Sequence, residues 1–222
     1  MEESMLPPRL LLMLFVFLMV PVPSVDAKEA SHVNKILLAA TSPFEDMVDF
    51  ALAQNDAGIT KALAVADRQA ASVKVVLPPA AAGSFGELLQ TIHEAAAGKE
   101  YQSLAVTAVE VIRFLLDGLR PSKLKVPKEV GLLDYAGFRL RVLATAKEPD
   151  WDMMLTTAED ATKWWNGIES RVSDKALRKA FSTAISGLQE AAKKEDLPML
   201  RLAAQIELDL VDMLEHHFRR KS

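Results

Sequence analysis

Cysteine is absent from the 222 residues. That excludes disulfide staples, thiolate zinc sites, iron–sulfur clusters, thiol nucleophiles and covalently attached c-type haem. An excess of basic charge is also missing: 26 Lys and Arg stand against 30 Asp and Glu, for a net charge of −4. The chain therefore carries no overall footprint for a nucleic-acid duplex. Its longest apolar run, Leu10 to Val20, is eleven residues, short of the roughly 20 that span a bilayer. There is no G-x-S-x-G elbow, no phosphate-binding P-loop and no G-x-G-x-x-G turn, and no Ser, His and Asp are spaced so that a helix would gather them. Aromatic residues make up only 6% of the chain. Enzymatic chemistry has no legible foothold.

What is present is alanine-rich apolar sequence, half of the chain in all, enough for a substantial core. Leu10–Val20 is broken by Pro21 and Pro23 and followed by Val25-Asp26-Ala27. This order fits the hydrophobic region and small-residue cleavage site of a signal peptide. Residues 1–27 are thus expected to be removed, leaving Lys28 as the mature N-terminus of a periplasmic or secreted protein. Glu2 and Glu3 offset Arg9, and a start at Met5 would leave the leader positive. An uncleaved amphipathic or anchoring helix is the competing reading. After cleavage no apolar run long enough to span a membrane remains. A cysteine-free exported chain suits a bacterial periplasm better than a secreted eukaryotic domain.

The remainder reads as all-α. Ser42-Pro43-Phe44-Glu45 and Ser84-Phe85-Gly86-Glu87 both have the form of a capping box, a helix-start signal. Apolar residues recur at about 100° per residue, as in Met154, Ala158, Ala161, Trp165 and Ile168. Eight helices are expected, near 43–55, 59–77, 85–97, 100–119, 132–147, 150–172, 174–193 and 197–218. Asn55-Asp56-Ala57-Gly58, Glu148-Pro149-Asp150, Ser173-Asp174 and Asp196-Leu197-Pro198 supply turns. No segment alternates convincingly as a strand.

The eight resemble four helices taken twice. Shifted by about 91 residues, Phe44 falls on Tyr135, Met47 on Phe138 and Leu52 on Leu143; by the last helix the shift is about 99. A duplicated four-helix unit with a pseudo-two-fold is the expected architecture. Its halves are 28–119 and 132–222, joined by the proline- and lysine-bearing linker 120–131.

Residues that break the pattern carry the functional signal. Met199, Leu202, Ala203, Ile206, Leu210, Met213 and Leu214 share one face of the last helix, with His217 at its centre and Glu207 on its flank. Arg139 falls in the apolar arc of Phe138, Val142 and Leu143, while its counterpart in the first half is Val48 and that of Glu207 is Ala108. Burying either charge alone is expensive. Arg139 and Glu207 are therefore expected to meet, either as a structural bridge or as the floor of a pocket whose arginine grips an anion. Trp164 stands at the edge of its helix's apolar stripe, where an indole rims a groove or packs at a core margin. Asp209, Asp212 and His216 line one edge at i, i+3 and i+7, a weak metal-ligand pattern that solvated faces also show. His217 with Met47 would suit a non-covalent haem. These features point to an exported, non-catalytic binding or accessory protein of the cell envelope, with an unknown protein or small-molecule ligand. The alternative is a metal or haem carrier using the C-terminal helix; the sequence specifies no cofactor.

Overall fold

The computed structural model describes residues 27–120 and 124–220, so the expected leader lies outside the described residues except for Ala27. Among the described residues there are nine α-helices and no strands: α1 (Ala27–Ala39), α2 (Ser42–Leu52), α3 (Asp56–Val76), α4 (Pro79–Gly98), α5 (Tyr101–Asp117), α6 (Lys128–Leu143), α7 (Trp151–Ile168), α8 (Lys175–Lys193) and α9 (Leu197–Arg220). A short 3₁₀ turn, Glu169–Arg171, follows α7. None of these helices is long and apolar enough to cross a membrane.

Two of the expected helix starts need correction. The helix expected near 85–97 begins earlier, at Pro79. Pro79 opens α4, the first-turn position where a missing N–H costs nothing, and Ser84–Glu87 lies inside that helix. At α2 the cap is Thr41 rather than Ser42. The starts of α3, α7 and α9 follow side-chain capping. Asn55 accepts from the Gly58 N–H at 3.0 Å, Asp150 from the Met153 N–H at 2.9 Å and Asp196 from the Met199 N–H at 3.0 Å, each occupying a donor that the first helical turn leaves free.

Helix α1 is the ninth helix that the periodicity did not give. It buries Ala30, Val33 and Leu37 against α3 and α5. Asn34, also buried, pins it: its amide donates to the Arg120 carbonyl at 2.9 Å, and its oxygen accepts from the Arg120 N–H at 2.8 Å. Arg120 in turn pairs with Glu29. Replacing Asn34 by Ala leaves both backbone groups of Arg120 without these partners. Thermal denaturation should show a loss of about 1–2 kcal/mol; an unchanged midpoint would mean that α1 is held by its apolar contacts alone.

The packing divides into two groups. In the first, α2 packs on α3, α3 on α4, α4 on α5, and α5 returns to α2; in the second, α6 packs on α7, α7 on α8, α8 on α9, and α9 returns to α6. Helix α6 belongs to both. Leu132, Tyr135, Phe138 and Val142 enter the core of α1–α5, whereas Val130, Leu133, Ala136 and Leu140 enter the core of α6–α9. No residue of α6 is fully exposed, although it carries Lys128, Glu129, Asp134, Arg139 and Arg141 among its apolar residues. It begins at Lys128 and runs to Leu143, four residues N-terminal of the expected 132–147, because Pro127 rather than Gly131 marks its start.

The apolar face of α9 is a second correction. The residues turned to the core are Leu200, Ala203, Ala204, Glu207, Leu208, Val211, Leu214 and Phe218. Met199, Leu202, Ile206 and Met213 are exposed instead. The helix carries two apolar sets; Ala203 and Leu214 of the expected face belong to the buried one, while Met199, Leu202, Ile206 and Met213 point outward.

Candidate functional site

Helices α2, α6 and α9 meet along a seam that opens into a cleft. One arm, about 440 Å³, runs between Glu45 and Asp49 of α2, Asp134 and Arg141 of α6, and Asp209, Asp212 and Glu215 of α9. It joins a second arm of about 700 Å³, bounded by Lys35 of α1, Ile112 and Leu116 of α5 and the segment Leu124–Lys128. The outer acids are partly neutralised: Arg141 pairs with Asp49 at 2.7 Å and Arg219 with Glu215. The inner ones are not. Among the described residues neither Glu45 nor Asp134 forms an ion pair.

Glu207 lies beneath this cleft. It is completely buried, and neither carboxyl oxygen has a hydrogen-bond partner. Room for it comes from Gly137: a Cβ on that residue would stand 2.3 Å from Glu207 Oε2 and 2.6 Å from the Leu208 side chain. Gly137 falls between Asp134 and Arg141 at i+3 and i−4, on the one stripe of α6 that lines the cleft. The Glu207 carboxyl therefore occupies a closed slot that a missing side chain provides, close enough to feel the charge of Asp134 but lining neither arm of the cleft.

Burial sets the protonation of all three groups. Desolvation pushes Glu45 up to about 7; the neighbouring Glu215, Asp46 and Asp212 add to this, against a hydrogen bond from Thr41. Asp134 is raised well above its ordinary range, first by desolvation, then by Glu45, Glu215, Asp212 and Asp49. Glu207 is raised likewise by its burial, with Asp134 the nearby charge that reinforces it. All three carboxyls are thus raised by desolvation first and by neighbouring negative charge second.

Arg139 is not the missing cation. Its guanidinium donates to the Tyr135 hydroxyl and lies 5.7 Å from that ring. Arg113 sits over Tyr135 at 5.4 Å and over Trp164 at 5.5 Å, and the two rings meet edge-on at 6.3 Å. Arg139 and Trp164 are thereby gathered around Tyr135 at the seam of α5, α6 and α7. The expected Arg139–Glu207 pair does not form, since one α6 side chain turns to Tyr135 while Glu207 meets α6 at Gly137.

His217 stands apart from both groups. Its Nε2 accepts from the Ser173 N–H at 3.3 Å, closing the turn before α8, and its ring meets Phe218 edge-on. Met47 is buried in the other core, so the structure does not assemble a haem-ligand pair from them. His216 Nδ1 lies 2.9 Å from the Asp212 backbone carbonyl. Among the described residues no group of three or more His, Asp or Glu is arranged to hold a metal ion, Asp209, Asp212 and His216 included.

Glu45, Asp134 and Gly137 carry the site and were not singled out by sequence. Glu45 looked like the last member of a capping box. Asp134 had a usable signal: it is the charged residue in Leu132-Leu133-Asp134-Tyr135-Ala136, a stretch with apolar neighbours on every side. Comparison of the chain with protein-family models, curated proteins and solved structures finds no match.

Proposed function

We propose that this chain is an exported, non-catalytic helical binding protein of the cell envelope, and that the cleft between α2, α6 and α9 takes an organic cation. The observation that carries this reading is the buried, unpartnered Glu207 carboxyl beneath two further carboxyls without a counter-cation. An ammonium or guanidinium group would repay their desolvation and draw them back to the charged form. The sign is opposite to that of an anion site on Arg139. Export rests on the leader-like residues 10–27, and N-terminal sequencing of the accumulated protein at or near Lys28 is the check.

We also infer that α2–α5 and α6–α9 are copies of one four-helix unit. Both groups close in the same order. Buried residues coincide at offsets of 91 (Phe44 and Tyr135), 92 (Val73 and Trp165), 96 (Phe85 and Phe181) and 99 (Leu115 and Leu214). The turns agree too: Lys99 and Glu195 both adopt left-handed backbone with φ 56°. In this frame Glu45, Asp134 and Glu207 correspond to Ala136, Pro43 and Ala108. The scaffold folds with uncharged residues at all three places, which supports a role for the acids beyond architecture.

Titration calorimetry with spermidine, 1,4-diaminobutane and argininamide tests the cleft. Binding is expected with release of protons, seen as a dependence of the heat on the buffer. Glu45→Gln and Asp134→Asn should each weaken it at least tenfold. Absence of binding by all three compounds at millimolar concentration, or equal affinity in the variants, rejects the cation site.

A further inference from the structure

The outward face of α8 and α9 has no partner among the described residues. On α9 it presents Leu202, Met213, Ile206 and Met199 at 63%, 53%, 42% and 37% exposure. On α8 it presents small residues, Ala176, Ala180, Thr183 and Gly187, and between the two helices runs an open groove of about 630 Å³. A ridge of large apolar side chains thus lies beside a trough of small ones. Contiguous exposed apolar surface of this kind marks an interaction site.

Ridge and trough on one face are complementary to each other, so a second copy turned by a two-fold axis parallel to the helices fits both at once. The ridge of each α9 would fill the trough of the other chain's α8, giving the isologous contact typical of two-fold dimers. Charge agrees with the same placement. Gly187 of α8 lies against Ala203 of α9, its ideal Cβ 3.5 Å from that side chain. Counting outward along the antiparallel helices from this contact brings Asp209 level with Phe181, within a turn of Lys179. Asp209 borders the α9 ridge on the side away from α8, and exposed Lys179 borders the trough on the side away from α9. Under the two-fold, the acidic margin of one copy falls on the basic margin of the other.

The area is adequate. Helix α8 has 19 residues, about 28 Å at 1.5 Å per residue, and a pair of helices is about 20 Å wide. Such a face projects to roughly 600 Å², close to the ~800 Å² per partner of a standard interface once side-chain relief is counted.

We propose that the chain forms a two-fold homodimer through α8 and α9, with the α9 ridge of each copy seated on the α8 trough of the other and Asp209 facing Lys179 across the contact. Sedimentation equilibrium of the protein, purified from the compartment where it accumulates, should give twice the monomer mass at tens of micromolar. Leu202→Asp should yield a monomer with unchanged helical circular dichroism, because that side chain is outside the core. Lys179→Asp should raise the dimer dissociation constant at least tenfold, and adding Asp209→Lys to the same chain should restore it. A monomer at 100 µM overturns the proposal, as does a dimer that survives Leu202→Asp. Failure of the double charge reversal to restore association overturns the two-fold register. Binding of a fatty acid or a foreign amphipathic helix to a chain that stays monomeric would assign the face to that occupant instead.

Discussion

Gly137→Ala is expected to destabilise the protein by about 3 kcal/mol, the upper part of the range for overpacked cores. The direction is the unusual part. In a helix interior glycine is normally the poorer residue, and alanine gains about 0.5–1 kcal/mol. Here the new methyl would enter space held by Glu207 Oε2 and the Leu208 side chain, at 2.3 and 2.6 Å. Neither neighbour has a ready retreat: Glu207 is completely buried, and Leu208 packs into the first core. The substitution forces α6 and α9 apart at the seam on which the cleft is built. Thermal or urea denaturation measures the loss. A Gly137→Ala protein as stable as the parent would mean that the Glu207 side chain swings freely out of its slot, and the closed slot beneath the proposed site would go with it.

Glu207→Met is expected to act in the other direction, and to depend on pH. The three carboxyls of the seam have folded-state pKa values raised above their unfolded ones. Between about 4.5 and those raised values the folded chain therefore holds more protons than the unfolded chain. Stability falls as pH rises through that window, beginning near 4.5 and passing about 7 for Glu45. It is fullest at acid pH. Each pKa unit is worth about 1.4 kcal/mol. The groups facing these carboxyls are mostly of the same sign: Asp46 and Asp49 on α2, and Asp212 and Glu215 on α9. The nearby cations Lys35, Arg141 and Arg219 line the outer cleft.

Methionine at position 207 keeps roughly the same volume and removes an unpartnered buried carboxyl. A buried polar group without a hydrogen-bond partner typically costs about 1–3 kcal/mol, which the apolar side chain recovers. A gain of about 2 kcal/mol at pH 8 would raise the melting midpoint by about 4–8 °C for a chain of this size. At pH 5 the gain should be smaller, because fewer protons then separate the folded parent from its unfolded chain. The same variant should bind spermidine more weakly, the trade of function against stability expected where a site is kept at the scaffold's expense. A methionine variant less stable than the parent at both pH values would show that Glu207 has a stabilising partner, and its role beneath the cleft would fail.

Much of the helix count was legible because periodicity reports burial on one face. The 91-residue shift draws on the same signal, since Phe44 and Tyr135, and Met47 and Phe138, are all buried. Three features escaped. Helix α1 follows a leader-like stretch, and its few buried residues give a faint stripe over 13 positions. In α9 the apolar residues cover two faces, so a single stripe could be drawn through Leu202 and Met213 as readily as through Leu200 and Val211; only packing against α6 and α8 decides which is core. Arg139 stands in an apolar arc, but its partner is the Tyr135 side chain one turn away rather than a carboxylate across the seam. Sequence spacing locates a misplaced charge on its own helix, yet it carries no information about which neighbouring helix supplies the answer. For Asp134 the clue was the apolar run around it, which becomes informative once α6 is known to be a shared wall.

That shared wall also bears on how the chain assembles during synthesis. Helices α1–α5 leave the ribosome first, and the core they enclose stays open on the side where Tyr135, Phe138 and Val142 of α6 will sit. When α6 arrives it closes that side but displays Val130, Leu133 and Leu140 to solvent until α7 and then α9 pack on it. Until both have followed, the nascent protein carries a partly bare apolar surface made by its own completed half. Leu197, where α9 begins, lies 54 residues beyond Leu143, so the α9 side of that surface waits about 3–11 seconds at ordinary elongation rates, the interval in which a holding chaperone has most to do.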